Sequence, residues 1–311
     1  MARVIVITLF CVCFGVWGGS SATASDGDRK ISVYASIYPM YDFSVKIGGE
    51  RVNVINMVPS GVEPHDWEPA AADIAGLEEA SVFVYNGAGM ESWVPDVLGS
   101  LRNKKLVSVE ASGGIKLMEG HHHEDGEEEH EEHEEEGGDY DPHVWLSPMN
   151  AKTIMNNIRN ALAAADPDGE AYYKANYDRY AAECDLLDKE FESALSGLSK
   201  KDIIVTHQAF GYMCVRYGLN QIPIAGLSPD SEPDPARMAE IIDFTKKNGV
   251  KVVFFEELAS PKVAESIAAS TGARTDMLSP IEGLDDEEAA AGEDYFSIMR
   301  KNLKSLVAAL Q

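Results

Sequence analysis

The amino-acid sequence predicts an α/β protein of two lobes, each with a mainly parallel sheet, joined by one long linking helix. Strand-like runs alternate with helix-forming segments in both halves of the chain, which is the pattern of parallel sheets. A long helical stripe separates the halves, and 311 residues suffice for two cores. We therefore expect a signal peptide at 1–24, a first lobe at 25–168, a linking helix at 169–199 and a second lobe at 200–311.

Each element of the first lobe follows from local composition. The runs ISVYASIYP and VNVINMVP are rich in β-branched and aromatic residues, and the second ends at Pro59 and Gly61. PAAADIAGLEEA is rich in helix formers and leads into the apolar strand SVFVYNGAG. After Ser147 a long run of helix formers begins, broken only at 166–169, where Asp-Pro-Asp-Gly interrupts it.

The linking helix is predicted over 170–198, where apolar and aromatic residues recur at helical spacing. About 29 helical residues span roughly 43 Å, which is enough to run the length of a lobe. The second half then repeats the first pattern: DIIVTH, VKVVFFEE and ARTDML are expected strands. The segments QAFGYMCVRYG, PARMAEIIDFTKKNG and PKVAESIAASTG are expected helices that end at glycines, and the chain closes with an amphipathic helix. Ligands of such sheets bind beyond the carboxyl ends of the strands, so a bound ligand is expected in the cleft between the lobes.

The charge of the chain is strongly acidic, with 26 Lys and Arg against 52 Asp and Glu and a formal net charge of −26. Nucleic acid and anionic membrane surfaces are therefore unlikely partners, whereas cations should be attracted. Half of the net charge comes from 119–141, which contains 13 acidic residues and no Lys or Arg. Because like charges dominate and apolar periodicity is missing, we expect 119–139 to be a disordered insertion in the first lobe.

The N-terminus resembles a secretory signal peptide. An apolar run at 4–17, too short to span a bilayer comfortably, is followed by an Ala-x-Ala pattern at 22–24. Cys11 and Cys13 lie within the apolar run, and neither follows the pattern of a lipoprotein site, so lipid anchoring is not favoured. We expect a protein that is exported across the cytoplasmic membrane and is soluble in the periplasm or at the cell surface after cleavage.

Two cysteines, Cys184 and Cys214, remain after the signal peptide. An oxidising compartment permits a disulfide between them, which would close a loop of about 30 residues. Two separate buried thiols that act as small apolar side chains are the alternative. Neither cysteine is a predicted metal ligand, because the chain has no Cys-x-x-Cys pair.

Eight histidines fall into two groups. Three are solitary, and each ends a strand-like run or lies in a loop next to proline: His65, His143 and His207. Two of these share a Pro-His-x-Trp pattern, in which proline stiffens the approach and the aromatic ring can pack the ligand in place. Three neutral imidazoles suit zinc and leave a fourth tetrahedral position for a carboxylate or water. The other five lie in the acidic insertion: His121, His122, His123, His130 and His133.

Several segments resemble the metal-binding solute-binding proteins of zinc and manganese ABC importers. They are VEPHDWEPAAADIAGL, DPHVWLSPMNAK, THQAFGYMCVRYGL, SPDSEPDPARMAEI, LSPIEGL and AGEDYFSIMRKNL. The likeness runs from about residue 30 to the C-terminus and includes the charged His-rich insertion. It implies a two-lobed fold with a rigid linking helix, one metal ion in the interlobe cleft, and a membrane permease as partner.

The resemblance places metal ligands at His65, His143 and His207. Manganese-binding relatives commonly have a carboxylate at the last position, so imidazole there favours zinc as the transported ion over manganese. The family often supplies an aspartate from a Leu-Asp-Pro motif, which here is Leu-Ser-Pro at 278–280. The fourth ligand is therefore left open between water and three carboxylates: Glu282, Asp276 and Glu63. Asp66 and Asp141 are candidate hydrogen-bond partners of the imidazoles.

The five insertion histidines predict accessory zinc binding that is weaker than the main site, because each bound ion must also order the chain. The alternative is a solvated charge run. For the whole protein we predict a monomeric, non-enzymatic zinc-binding component of an ABC importer. The alternatives are a manganese-binding component and a three-histidine zinc hydrolase or hydratase, although none of the three solitary histidines belongs to an H-x-H or H-E-x-x-H pairing. A surface adhesin is a third possibility, which would need an exposed partner-binding face.

Overall fold

The computed structural model describes residues 30–120, 140–229 and 233–311. The predicted signal peptide with Cys11 and Cys13, the five insertion histidines and the predicted disorder of the insertion lie outside the described residues. The described ranges form two α/β lobes with a long helix between them, each lobe built on a four-stranded sheet whose strands are all parallel. This confirms the predicted fold class.

The first lobe has strand order β2-β1-β3-β4. Its elements are β1 (Ile31–Ala35), α1 (Tyr38–Gly48), β2 (Val52–Asn56), α2 (Ala71–Glu79), β3 (Val82–Tyr85), α3 (Val94–Ser100), β4 (Val107–Glu110) and α4 (Pro148–Ala165). The central strand β3 is buried over most of its length, as expected for a strand covered on both faces.

The long helix α5 (Glu170–Leu195) follows a single 3-10 turn at Pro167–Gly169. It starts where the Asp-Pro-Asp-Gly break was predicted and ends three residues before the predicted end. The helix packs against α1 and α4 of the first lobe and against α6 and α10 of the second. It therefore lies along both lobes and fixes one relative to the other.

The second lobe repeats the architecture, with strand order β6-β5-β7-β8. Its elements are β5 (Asp202–Val205), α6 (Gly211–Tyr217), β6 (Asn220–Pro223), α7 (Pro235–Asn248), β7 (Val252–Phe255), α8 (Lys262–Thr271), β8 (Arg274–Met277), α9 (Asp286–Ala291) and α10 (Tyr295–Leu310). In both sheets the chain crosses from one side of its first strand to the other. The carboxyl ends of β5 and β7 therefore lie at a point where the strand order reverses, which is where such sheets bind ligands.

The two lobes share one apolar core. Phe43 of α1, Trp145 and Tyr295 of α10 are fully buried in one cluster that includes side chains of both sheets. The Phe43 and Tyr295 rings meet edge to face at 4.9 Å, and the Tyr295 hydroxyl donates to the Trp145 carbonyl at 2.7 Å. Buried apolar side chains of both lobes thus pack together at the base of the cleft.

Within the described ranges, no helix is both long enough and apolar enough to cross a membrane.

The two cysteines are not joined by a disulfide. Cys184 of α5 and Cys214 of α6 are free, buried thiols within the shared core. Burial raises the pKa of each thiol to about 12, so both stay protonated at neutral pH. Of the two alternatives left open by the sequence, the structure therefore has the one in which the thiols act as small apolar side chains.

Candidate metal centre

The three solitary histidines meet in the cleft, and a carboxylate joins them. One ligand atom each of His65, His143, His207 and Glu282 lies within 4.8 Å of the others. The His143 Nε2 atom is 3.3 Å from His65 Nε2 and 3.2 Å from His207 Nε2. Glu282 Oε1 lies 3.2, 2.8 and 3.3 Å from Nε2 of His65, His143 and His207, respectively.

This spacing fits a tetrahedral zinc ion. Zinc bonds of about 2.0 Å to nitrogen and oxygen put neighbouring ligand atoms of a regular tetrahedron about 3.3 Å apart. Five of the six separations among the donor atoms run from 2.8 to 3.3 Å, and the sixth, between His65 and His207, is within 4.8 Å. The donor set of three imidazoles and one carboxylate is also one that zinc accepts in proteins.

Each donor follows from its place in the fold. His65 lies in the loop between β2 and α2, and His143 directly precedes the 3-10 turn Val144–Leu146 before α4. His207 comes two residues after β5, and Glu282 follows β8. The second-lobe donors thus come from the carboxyl ends of parallel strands. His143, His207 and Glu282 are almost fully buried, whereas His65 is partly exposed.

Carboxylates fix the orientation of two imidazoles. Asp141 Oδ1 accepts hydrogen bonds from the His143 backbone N–H at 2.9 Å and from its Nδ1 at 2.8 Å. Glu256 Oε2 accepts from His207 Nδ1 at 2.6 Å. Because these bonds place the proton on Nδ1, a neutral His143 and a neutral His207 point the lone pairs of Nε2 at each other. The two Nε2 atoms are 3.2 Å apart, and their lone pairs repel each other unless a cation lies between them. The arrangement is therefore suited to a metal ion.

The charged groups around the site also favour a bound cation. Burial alone would lower the pKa of both imidazoles, but hydrogen bonds and charge from Asp141 and Glu282 raise that of His143. The charges of Glu256 and Glu282 likewise raise the pKa of His207. Burial opposes ionisation of Glu282, yet His207 and the neighbouring imidazoles hold its pKa well below the usual range. The cluster therefore favours positive charge at the point where the four donor atoms converge.

The three carboxylates that the sequence left open have different places in the structure. Glu282 joins the histidines. Glu63 Oε1 accepts from the His65 backbone N–H at 3.0 Å and lies 4.0 Å from His65 Nε2. Burial and the nearby charge of Glu282 raise the pKa of Glu63 to about 8. Asp276 is not in the group of four donors and pairs with Arg274.

The two Pro-His-x-Trp motifs place their tryptophans differently. Trp145 Nε1 donates to the Pro280 carbonyl at 2.8 Å, so the segment with His143 is bonded to the segment with Glu282. Trp67 packs edge to face on Trp93 at 5.7 Å in a smaller cluster of the first lobe. Of the two tryptophans, Trp145 is thus the one with a hydrogen bond to the second lobe among the described residues.

The His65 loop also contacts the second lobe. The Ser60 hydroxyl and the Gly61 backbone N–H donate to the Leu284 carbonyl at 2.6 and 3.1 Å. Leu284 lies two residues after Glu282. These hydrogen bonds therefore join the loop that contains His65 to the segment that contains Glu282.

Sequence reasoning missed Glu256. It follows the buried strand β7, and its role depends on β7 lying beside β5, which one sequence does not show. The acidic pair in VKVVFFEE was the available signal. Of the two predicted partners of the imidazoles, Asp141 is bonded to His143, whereas Asp66 is exposed.

The base of the insertion is tied to the metal centre. Glu119 and Tyr140 form an antiparallel bridge, and the Asp141 backbone N–H donates to the Met118 carbonyl at 2.9 Å. The Tyr212 hydroxyl of α6 accepts from the Met118 backbone N–H at 3.0 Å and donates to the Asp141 carbonyl at 2.9 Å. The residue that orients His143 is therefore also the first buried residue after the insertion.

Comparison with known proteins extends the geometric result. Residues 33–309 match the family ZnuA, described as the periplasmic component A of a zinc-uptake complex. The high-affinity zinc uptake system protein ZnuA of Bacillus subtilis (strain 168) is 45% identical over 291 residues, which are 93% of this chain and 91% of that protein. The zinc-binding protein AdcA of Streptococcus pyogenes serotype M3 is 42% identical over 312 residues. That match covers 98% of this chain and 61% of AdcA, so the chain spans about three fifths of this relative.

A solved structure shows the same fold. The Zn(II)-bound ZnuA-like domain of Streptococcus pneumoniae AdcA aligns with a TM-score of 0.77 at 37% identity. The alignment covers 90% of this chain and 99% of that domain. The family match covers most of the chain, and the cleft holds the donor set described above. The chain therefore belongs to the ZnuA family of periplasmic A components of zinc-uptake complexes.

Proposed function

We propose that this protein captures Zn²⁺ outside the cytoplasm and delivers it to the membrane permease of an ABC importer. The ligands are His65, His143, His207 and Glu282. The observation that carries the proposal is the convergence of three Nε2 atoms and one carboxylate oxygen at tetrahedral spacing. The zinc uptake function of the relatives supports it.

The donor set favours zinc over manganese. Manganese prefers oxygen ligands in an octahedral arrangement, whereas three imidazoles suit a borderline-soft ion in a tetrahedral site. A zinc ion held by all four donors carries a full tetrahedral shell. A hydrolytic site instead keeps one position for water. Glu282 fills that position, so the geometry supports binding rather than catalysis.

We propose that the protein acts after export and cleavage near residue 24, as a monomer that docks on the permease. The insertion histidines bind further zinc ions weakly and are not needed for the main site. The antiparallel bridge between Glu119 and Tyr140 permits a clean test. Replacing 120–139 with Asn-Gly joins this pair by a two-residue hairpin turn and leaves the contacts of Asp141 in place. The variant is expected to keep one tight site.

Uptake of radioactive zinc tests the proposed function. Cells that lack this protein should accumulate less ⁶⁵Zn at low external zinc than the parent strain. Wild-type protein should restore uptake, and His143→Ala should not, because it removes a ligand at the centre of the cluster. Equal uptake with His143→Ala and wild type at matched protein levels would contradict the proposal.

A further inference from the structure

The residue before Glu282 has an unfavourable backbone conformation. Ile281 has φ 59°, in the left-handed region that β-branched residues rarely adopt. Its side chain is fully buried, so the conformation does not belong to a loose surface turn. Such a conformation persists only where surrounding contacts determine it, and it is common next to functional groups.

Asn302 of α10 holds the backbone just before this point. Its Oδ1 accepts from the Ser279 backbone N–H at 2.9 Å, and its Nδ2 donates to the Ser279 carbonyl at 2.7 Å. The backbone N–H and the carbonyl of Ser279 are thus both hydrogen-bonded to the buried side-chain amide of Asn302. Two hydrogen bonds from one side chain fix both the position and the direction of the Ser279 backbone.

Ser279 continues the restraint through its side chain. Its hydroxyl oxygen accepts from the Ile281 backbone N–H at 3.0 Å and donates to the Glu257 carboxyl. The Pro280 carbonyl between them accepts from the Trp145 indole. The backbone from Ser279 to Ile281 is therefore bonded at each step up to Glu282.

We propose that Asn302 and Ser279 are positioning residues for the fourth zinc ligand. They hold the left-handed Ile281, and this conformation directs the Glu282 carboxylate at the three imidazoles. A carboxylate that is ordered before the metal arrives loses less conformational freedom on binding, which strengthens affinity. The serine of the Leu-Ser-Pro motif thus acts on the backbone and is not itself a ligand. This inference rests on the proposed zinc site and adds how that site is built.

A double-mutant cycle tests the inference with full-length mature protein and zinc. Asn302→Leu keeps a similar volume and removes both bonds to Ser279. Partners that orient ligands typically contribute 10-fold to 100-fold to metal affinity, so we expect Asn302→Leu to raise the zinc Kd by roughly 10-fold or more. In a Glu282→Gln background the same change should alter Kd by less than roughly 3-fold, because its effect passes through that carboxylate.

Asn157→Leu is the matched control. Asn157 also donates its amide to two backbone carbonyls, those of Ala111 and Gly113, but it lies in the first lobe away from the donors. It should leave the zinc Kd within roughly 3-fold of wild type. An equal loss of affinity from Asn157→Leu and Asn302→Leu would show a general effect of destabilisation and would overturn the inference.

Ser279→Ala keeps the test decisive if Asn302→Leu does not fold. It removes only the hydroxyl that accepts from Ile281, and the same dependence on Glu282 is expected. An unchanged Kd for the folded variants, or an equal loss with and without Glu282, would overturn the positioning role. Absence of tight zinc binding in the wild-type protein would instead contradict the proposed function itself, so the two failures are distinguishable.

Discussion

At the scale of single residues, the metal centre depends on Glu282 more than the sequence alone indicated. The three histidines were predicted from their solitary positions in loops and from their resemblance to a known family. The carboxylate was left open because the expected aspartate position holds Ser279. Identifying Glu282 as the fourth ligand requires the three-dimensional path of the chain after β8, including the left-handed Ile281. No sequence pattern shows that path.

Glu282→Gln should weaken zinc binding by more than roughly 10-fold, because a neutral amide replaces the only carboxylate among the four donors. Isothermal titration of zinc in the presence of a competing chelator measures the change. Asp276→Asn is the matched control, since Asp276 pairs with Arg274 and is not one of the four donors. Equal affinities of Glu282→Gln and Asp276→Asn would show that Glu282 is not a ligand.

Glu256→Gln should weaken zinc binding by roughly 10-fold to 100-fold while leaving all four donors in place. The amide no longer enforces the proton on His207 Nδ1, so Nε2 presents its lone pair to the metal less often. Competition titration gives the affinity, and nitrogen NMR shifts of the imidazole report the tautomer. Glu265→Gln, an exposed change on α8, should do neither. Unaltered affinity and tautomer in Glu256→Gln would contradict this role.

At the scale of elements, the sequence predicted those with strong periodicity and clear stop signals. The glycines at 218, 249 and 272 end α6, α7 and α8 as expected, each in the left-handed conformation. The short elements α3, β4, β6 and α9 were not predicted. The strand β6 contains Asn, Gln and Pro, and it is a strand only because it pairs with β5. Tertiary pairing, which local composition does not show, decides such elements.

Gly211, the first residue of α6, lies so close to Asp141 that the substitution Gly211→Ala tests the packing between them. A Cβ atom at Gly211 would lie 2.6 Å from Asp141 Oδ2, which is too close for an unstrained contact. Gly211→Ala should therefore lower the free energy of unfolding by about 1 to 3 kcal/mol. It should also weaken zinc binding, because Asp141 orients His143.

Urea unfolding and zinc titration check the two parts of this prediction. Gly197→Ala is the control, since no atom lies within 4 Å of the added Cβ and the backbone is not left-handed there. A Gly211→Ala protein as stable and as tight-binding as Gly197→Ala would show that the approach is not a packing constraint.

At the scale of the whole molecule, the fold and the family were predictable because many independent signals agree. Alternating elements, the long helix and the order of motifs all indicate two parallel-sheet lobes. The contacts that set the cleft were not predictable in the same way. The bonds from Ser60 and Gly61 to Leu284, and from Trp145 to Pro280, join residues more than 130 positions apart.

The pH dependence of zinc affinity follows from the shifted imidazoles. Zinc needs neutral imidazole, and the raised pKa values of His143 and His207 mean that protons compete at a higher pH than for a free histidine. Affinity should therefore be highest in mildly alkaline solution and, as pH drops, should begin to fall above a pH of about 6.5, the value at which a free histidine titrates, and continue to fall below it. Titrations at intervals from pH 8 to pH 5 measure this. A flat profile would argue against histidine ligation.

The most direct test of the central claim is a competition titration of zinc and manganese into metal-free mature protein. It is done in parallel on the variant in which Asn-Gly replaces 120–139. We expect one tight zinc site per chain in both proteins, weak manganese binding, and loss of only the weaker zinc sites in the variant. Tight manganese preference, or loss of all tight zinc binding with the insertion, would show that the metal or the site is wrong.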